Sequence, residues 1–85
     1  MYPIEHVRKL TNSAIDLATD HFTKEMDEAI IKAASKGNFF AEISMLVTSE
    51  ELAKKYESVM EAYEKNGYTV EIYIHDFNYY KVSWN

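Results

Sequence analysis

The fold is decided by residues 26–47, MDEAIIKAASKGNFFAEISMLV, in which one pattern of apolar residues replaces another at Gly37. Before the glycine the apolar residues recur at helical spacing, and after it they alternate as in a strand. Glycine adopts the left-handed backbone conformation without steric cost, so it is favoured one residue past the end of a helix. Gly67 marks a second change of this kind, because it ends the helical pattern of residues 52–66 and precedes another alternating segment.

The order of the elements is therefore helix, strand, helix, strand, strand. Strands are predicted at residues 38–47, 68–74 and 79–84, and residues 75–78 are predicted to form the turn between the last two. The third strand lies either at an edge of the sheet or between the other two. We predict a single domain over residues 1–85 with an α+β fold, a two-layer sandwich whose two main helices cover one face of a three-stranded sheet.

Alternation along the strands and helical spacing along the second helix assign side chains to a core face and an outer face. The predicted core positions are Phe39, Ala41, Ile43, Met45, Val47, Val70, Ile72, Ile74, Tyr80, Val82 and Trp84 on the strands, and Leu52, Tyr56, Val59, Met60 and Tyr63 on the helix. The second helix is predicted to begin at a capping box formed by Thr48 and Glu51.

The first helix poses a problem of length. Its apolar stripe consists of Ile4, Val7, Leu10, Ala14, Leu17 and Ala18 and continues to Ala33. One straight helix over residues 3–36 would be about 51 Å long, whereas a compact chain of this size has a radius of gyration of about 12 Å. Either the helix breaks near residues 11–13, so that residues 1–12 form a separate N-terminal helix or oligomerisation arm, or it is continuous and its overhanging stripe packs on another subunit.

Composition limits the classes of function. The formal net charge is -5 and Arg8 is the only arginine, so the basic surface on which duplex nucleic-acid binding depends is not expected. There is no cysteine, which excludes disulfides and thiolate metal sites. No segment has the length of a transmembrane helix, and the first residues lack the pattern of a signal peptide. We expect a cytoplasmic protein that binds neither membranes nor duplex nucleic acid.

No catalytic residue, cofactor or metal site is predicted. His21 and Glu25 have the spacing of two metal ligands on a helix, but zinc sites take three or four ligands, so a solvated helix face is favoured. His75 lies beside Asp76, but no nucleophile or oxyanion donor can be assigned near it, so a histidine in a turn is favoured over a general base. We expect a protein that is not an enzyme.

The sheet face that the helices leave uncovered is predicted to carry polar and aromatic side chains together. Its members are Phe40, Glu42, Ser44, Leu46, Thr69, Glu71, Tyr73, Tyr79, Lys81 and Ser83. It is either a solvated face with cross-strand pairs such as Glu71 with Lys81, or a contact surface, because apolar patches of this kind mark interfaces. Together with the overhanging first helix, this face leads us to expect a homo-oligomer.

A phosphate-bearing ligand would need cations and a stacking surface. The predicted ligand-binding residues are Arg8, Thr11, Tyr79, Lys81 and Trp84. Arg8 supplies the fork that suits a phosphate, and Lys81 is the second candidate cation. The ring of Tyr79, Tyr80 or Trp84 is a candidate for stacking a base. The alternatives are a surface arginine paired with a nearby carboxylate, and tyrosines present only because they suit strands.

Several short segments resemble small, mostly uncharacterised bacteriophage and prophage proteins. These segments are residues 65–70, KNGYTV, residues 79–84, YYKVSW, residues 8–11, RKLT, before the long helix, and the Lys36-Gly37 step. Such proteins end in a Gly-Tyr-x-Val strand and a Val/Ile-Ser-Trp strand. The resemblance implies an accessory protein that acts in the cytoplasm of the host cell.

The sequence therefore leads to one expected function and one alternative. We expect a non-enzymatic phage accessory protein, for host takeover or anti-defence, that forms a homo-oligomer and sequesters a small nucleotide-type signal. The alternative is an inhibitor that binds a host protein through its sheet face or hairpin, or a small structural component of the virion. No cofactor is expected for any of these functions.

Overall fold

The first helix, α1, runs without a break from Ile4 to Ser35 in the computed structural model, which describes residues 1–74 and 78–85. The break considered near its start does not occur. Thr11 does not cap a helix there, because its hydroxyl donates to the carbonyl of Val7 at 3.0 Å, one turn back in the same helix. A helix of 32 residues is about 48 Å long. The domain is correspondingly elongated, with principal extents of 54 × 22 × 21 Å.

The remaining elements complete the predicted order. Within the described residues they are β1 at Phe40–Met45, α2 at Glu50–Lys65, β2 at Thr69–Tyr73 and β3 at Asn78–Ser83. β3 lies between β1 and β2 and is antiparallel to both. β1 and β2 are therefore parallel to each other, and α2 is the crossover between them. The predicted α+β fold is confirmed, and the position of the third strand is decided in favour of the centre of the sheet.

Each helix ends at a glycine, as predicted. Gly37 has a φ of 83° and Gly67 a φ of 99°, in the region that side chains disfavour. After α1, the N–H of Asn38 donates to the carbonyl of Ala33 at 3.0 Å, which is the six-residue closure of a Schellman motif. The end of α2 repeats the same hydrogen bond with the same spacing. These two closures redirect the chain from each helix into the next strand.

Three aromatic rings form the centre of the core. Phe22 on α1 stacks on Tyr56 of α2 with ring centroids 4.4 Å apart, and it meets Tyr80 of β3 edge to face at 4.9 Å. All three side chains are fully buried. The other buried core residues are Met26, Ile30, Ala41, Leu52, Met60 and Val82. The core therefore lies between the two helices and one face of the sheet.

Two predicted core positions are wrong. Phe39 and Ile74 are both exposed, because Phe39 precedes β1 and Ile74 follows β2. The carbonyl of Phe39 still accepts a hydrogen bond from the N–H of Trp84 at 3.0 Å, so the backbone pairing extends one residue beyond β1 although the side chain of Phe39 is exposed. The predicted strands were too long at these ends. Of the predicted turn at residues 75–78, residues 75–77 lie outside the described residues, and Asn78 is the first residue of β3.

The start of α2 also differs from the prediction. The N-cap is Ser49, whose side chain accepts a hydrogen bond from the N–H of Leu52 at 3.2 Å, so the predicted capping box of Thr48 and Glu51 is wrong. Ser49 has the extended backbone, with φ −156° and ψ 160°, that an N-cap requires. Both hydroxyl residues are able to cap a helix, and the conformation of the chain selects the second.

This assignment predicts that two neighbouring hydroxyls contribute differently to stability. Ser49→Ala removes the acceptor of an N-terminal N–H group and should lower the free energy of unfolding by about 1 kcal/mol. Thr48→Ala is the matched control and should change it by less than about 0.5 kcal/mol, because Thr48 is exposed and caps nothing. Urea unfolding followed by circular dichroism measures both. A larger loss from Thr48→Ala than from Ser49→Ala would contradict this assignment and support the capping box of Thr48 and Glu51.

A tyrosine connects the two helices at the far end of α2. The hydroxyl of Tyr63 donates to Oδ1 of Asp27 on α1 at 2.5 Å. Burial, and next the hydrogen bond to Asp27, raise the pKa of Tyr63 above its ordinary value. A pKa that is higher in the folded state contributes stability below the unfolded pKa of about 10, and this stability is lost as the pH rises above it.

The raised pKa of Tyr63 predicts that the protein loses stability at alkaline pH. The free energy of unfolding of the wild type should fall above about pH 10, and Tyr63→Phe should reduce the slope of that fall, since the ionising group is gone. At pH 7 the same change should cost about 1 kcal/mol for the lost hydrogen bond. Tyr2→Phe, on the exposed N-terminus, is the control and should keep the wild-type slope. Equal slopes for the wild type and Tyr63→Phe would contradict the prediction.

Candidate functional site

The outer face of the sheet, on the side away from both helices, is exposed and partly aromatic. Strand register arranges it in three rows across β1, β3 and β2: Phe40, Ser83 and Thr69; then Glu42, Lys81 and Glu71; then Ser44, Tyr79 and Tyr73. Phe40, Tyr73 and Tyr79 are all exposed. An exposed group of aromatic rings on a small domain is a feature of contact surfaces.

Lys81 occupies the centre of this outer face, between two carboxylates. Glu42 and Glu71 are its directly opposite partners on the neighbouring strands. The ammonium of Lys81 nevertheless lies over the ring of Phe40, 4.8 Å from its centroid, in a cation–π arrangement. The hydroxyl of Tyr73 donates to Glu71, and this hydrogen bond raises the pKa of Tyr73. The row therefore holds one positive charge between two negative ones, with aromatic rings on both sides.

A cleft lies at the other side of the domain, between the start of α1 and the start of α2. It has a volume of about 390 Å³ and is lined by Val7, Arg8, Thr11, Asn12, Ile15, Ser49 and Glu51. Arg8 offers a guanidinium fork and Thr11 a hydroxyl that keeps its acceptor capacity while donating to the helix. Glu51 brings a carboxylate to the same cleft. This mixture suits a ligand with few negative charges better than a polyanion.

The five predicted ligand-binding residues do not come together in one chain. Arg8 and Thr11 line the cleft, whereas Tyr79 and Lys81 lie on the outer face of the sheet. Trp84 lies on the helix side of β3, where its ring meets Tyr68 edge to face at 6.1 Å. Alternation along β3 imposes this separation, because residues 79 and 81 point one way and residues 80, 82 and 84 the other.

The suggestion that Tyr80 stacks a base is wrong. The side chain is only 1% exposed and belongs to the aromatic centre of the core. Its hydroxyl accepts a hydrogen bond from the amide of Asn78 at 3.3 Å, and burial raises its pKa. Tyr80 therefore holds the sheet to the helices and is not available to a ligand.

Sequence reasoning missed that the apolar stripe of α1 is two stripes. One faces the core and includes Ile15 and Phe22. The other, with Leu10 and Leu17, faces solvent: Leu17 is 70% exposed. Five residues separate Leu17 from Phe22, which turns the helix by about 140°. The spacing of Val7, Leu10, Ala14 and Leu17 carries this signal, but in the sequence it runs directly into the core positions, so the two stripes look like one.

Other candidate chemistry is sparse in the described part of the chain. Nε2 of His21 lies 3.3 Å from Oε1 of Glu25 on the exposed surface of α1. Among residues 1–74 and 78–85 there is no group of three or more histidine or carboxylate side chains placed to hold a metal ion. The helices within these residues are too short or too polar for any of them to span a bilayer.

Comparison with known proteins adds no functional assignment. No protein family, curated protein or solved structure matches the chain. Any function must therefore be argued from the surfaces described above.

The central row of the outer face predicts a charge effect on stability. Lys81→Glu places three carboxylates directly opposite one another and should lower the free energy of unfolding by about 1 kcal/mol. Because the cause is repulsion between exposed charges, the loss should shrink in 0.5 M salt, where the screening length is about 4 Å. Lys81→Gln is the control without a new charge. Urea unfolding at low and high salt measures both, and a loss that salt leaves unchanged would contradict the electrostatic origin.

Proposed function

We propose that this protein is a non-enzymatic bacteriophage accessory protein, for host takeover or anti-defence, that works by binding. In this proposal it is a homo-oligomer that sequesters a small nucleotide-type ligand in the cytoplasm of the host. The observation that carries the binding role is the apolar surface left open by the single chain, on α1 at Leu10 and Leu17 and on the sheet at Phe40, Tyr73 and Tyr79. The phage origin depends on the sequence resemblance alone.

The cleft beside Arg8 is the proposed phosphate site. Arg8 is the only arginine of the chain, and its guanidinium offers a fork of N–H donors to a phosphate. Thr11 and Asn12 line the same cleft. The net charge of -5 and the carboxylate of Glu51 oppose a highly charged ligand. A ligand with one or two phosphates is therefore favoured.

The base of the ligand requires an aromatic surface that the cleft lacks. Tyr79 and Lys81 are on the far side of the sheet from Arg8, so they can join it only if they come from another copy of the chain. Trp84 is partly buried on the helix side and contributes to such a site only at its exposed edge. If Arg8, Tyr79 and Lys81 bind the same ligand, the site must therefore lie between two subunits.

Calorimetry against cyclic nucleotides and ADP-ribose-type nucleotides tests this function. We expect binding of at least one member, and we expect Arg8→Ala to weaken it by about tenfold or more, since a hydrogen bond to a charged group is lost. Lys55→Ala removes the same charge from the exposed side of α2 and should leave binding unchanged. No heat with any nucleotide would exclude the nucleotide function.

The second candidate function is inhibition of a host protein, with a structural role in the virion as a variant of it. The observation that favours it is the outer face itself, a flat three-stranded surface with exposed Phe40, Tyr73 and Tyr79 around Lys81. Aromatic residues are enriched in protein interfaces. A single stoichiometric partner captured by the wild type and by Arg8→Ala, but lost with Tyr79→Ala, would support this function over the nucleotide one.

A further inference from the structure

The exposed stripe of α1 has the geometry of a helix-pairing seam. We call Val7, Leu10, Ala14 and Leu17 the α1 seam. Their spacing of three, four and three residues is the repeat that keeps side chains along one line between two packed helices. All four are exposed in the single chain, and Leu10 and Leu17 are 59% and 70% exposed. Leu10 and Leu17 lie on the side of α1 turned away from Phe22. Val7 and Ala14 lie at the edge of the seam nearer the start of α2, where they line open clefts.

The length of the seam is defined by the residues that follow it. The next positions in the same repeat are His21, Lys24 and Glu28, all exposed and polar. The apolar part therefore covers residues 7–17, about 16 Å of helix. Most of this length belongs to the part of α1 that projects beyond the core.

We infer that the α1 seam binds the α1 seam of a second copy, with the two helices antiparallel. This inference deepens the homo-oligomer of the proposed function and rests on it. In the antiparallel register Leu10 lies opposite Ala14 of the partner subunit, and Val7 lies opposite Leu17 of the partner subunit. Each large side chain then meets a smaller one, and the two-fold axis passes near the level of Asn12.

The charges along α1 favour the antiparallel direction. Lys9 lies near the start of the helix, and Asp16 and Asp20 lie further along the same side. Antiparallel pairing brings Lys9 of each copy toward the aspartates of the other. Parallel pairing would instead leave Lys9 of each copy about 10 Å along the helix axis from Asp16 of the partner subunit, and further from Asp20 of the partner subunit, so these attractions would be lost. The helix dipoles also oppose each other in the antiparallel pair.

The same charges argue against two other occupants. A bilayer surface attracts amphipathic helices with an excess of lysine and arginine beside the apolar face, whereas here Asp16 and Asp20 offset Arg8 and Lys9. An acidic protein surface would be repelled by the same aspartates. The seam alone is shorter than a standard interface, so we expect a dimer of about micromolar affinity.

Sedimentation velocity from about 1 to 500 µM tests the pairing, since this range brackets a micromolar dissociation constant. The wild type should dimerise with rising concentration, and Leu10→Glu should weaken the dimer by about 100-fold or more, because two buried charges replace two apolar contacts. The matched control is Leu46→Glu. Leu46 is also 59% exposed but follows β1 and does not belong to the α1 seam, and this change should leave the dimer intact.

Cysteine cross-linking tests the direction of the helices, and the natural chain has no cysteine to interfere. Val7→Cys and Leu17→Cys chains should each remain uncross-linked alone and should form a covalent dimer when mixed under oxidation. Cross-linking of Val7→Cys chains with each other would establish parallel pairing and overturn the proposal. A wild type that stays monomeric at 500 µM, or a dimer lost with Leu46→Glu but kept with Leu10→Glu, would overturn it as well.

These outcomes are distinguishable from failure of the nucleotide function. A wild-type dimer that gives no heat with any nucleotide would keep the α1 seam and exclude the nucleotide function. A monomer that binds a nucleotide through Arg8 would do the reverse. Binding of wild-type chain to vesicles of neutral lipid, lost with Leu10→Glu in a monomeric sample, would assign the seam to a membrane surface and overturn the pairing.

Discussion

Contact between Phe22, Tyr56 and Tyr80 is the interaction on which the rest of this structure depends. The three rings come from α1, α2 and the central strand β3, so one cluster fixes both helices to the sheet. Aromatic side chains bury large areas, and stacked or edge-to-face pairs add to that burial. In a chain of 85 residues without disulfides, few other sites could supply a comparable share of the core.

The position of this cluster determines which surfaces are left open. Phe22 lies past the middle of α1, so the core covers the second half of the helix and leaves the first three turns projecting. Both helices lie on the same face of the sheet, so the other face has no covering layer. The two exposed apolar surfaces are consequences of one arrangement, and each offers a contact that a single chain does not satisfy.

The charges of the chain restrict what those surfaces can bind. The acidic balance disfavours long polyanions, and the chain's single arginine lines the same cleft as the carboxylate of Glu51. A small ligand or a second copy of the chain agrees with these charges better than duplex nucleic acid does. Because Arg8 and the outer-face residues lie on different sides of the molecule, any site that uses both must form between subunits.

The sequence by itself determined the order of the elements, their layers and most of the core. Gly37 and Gly67 separate helical from alternating patterns. Local periodicity is enough to place Ala41, Tyr56 and Val82 on the buried faces of their strands and helix. The choice of N-cap and the exposure of Phe39 escaped prediction, because each depends on where the chain leaves a helix or a strand.

Only the tertiary structure decided the rest. Strand order depends on which hydrogen-bonding edges meet, and no local pattern of β3 records that it lies between β1 and β2. The same holds for α1: its continuity and the division of its stripe between core and solvent follow from where the sheet stops. The candidate ligand residues were chosen by side-chain chemistry, and their distribution over different surfaces was fixed by packing, which a pattern along one chain does not encode.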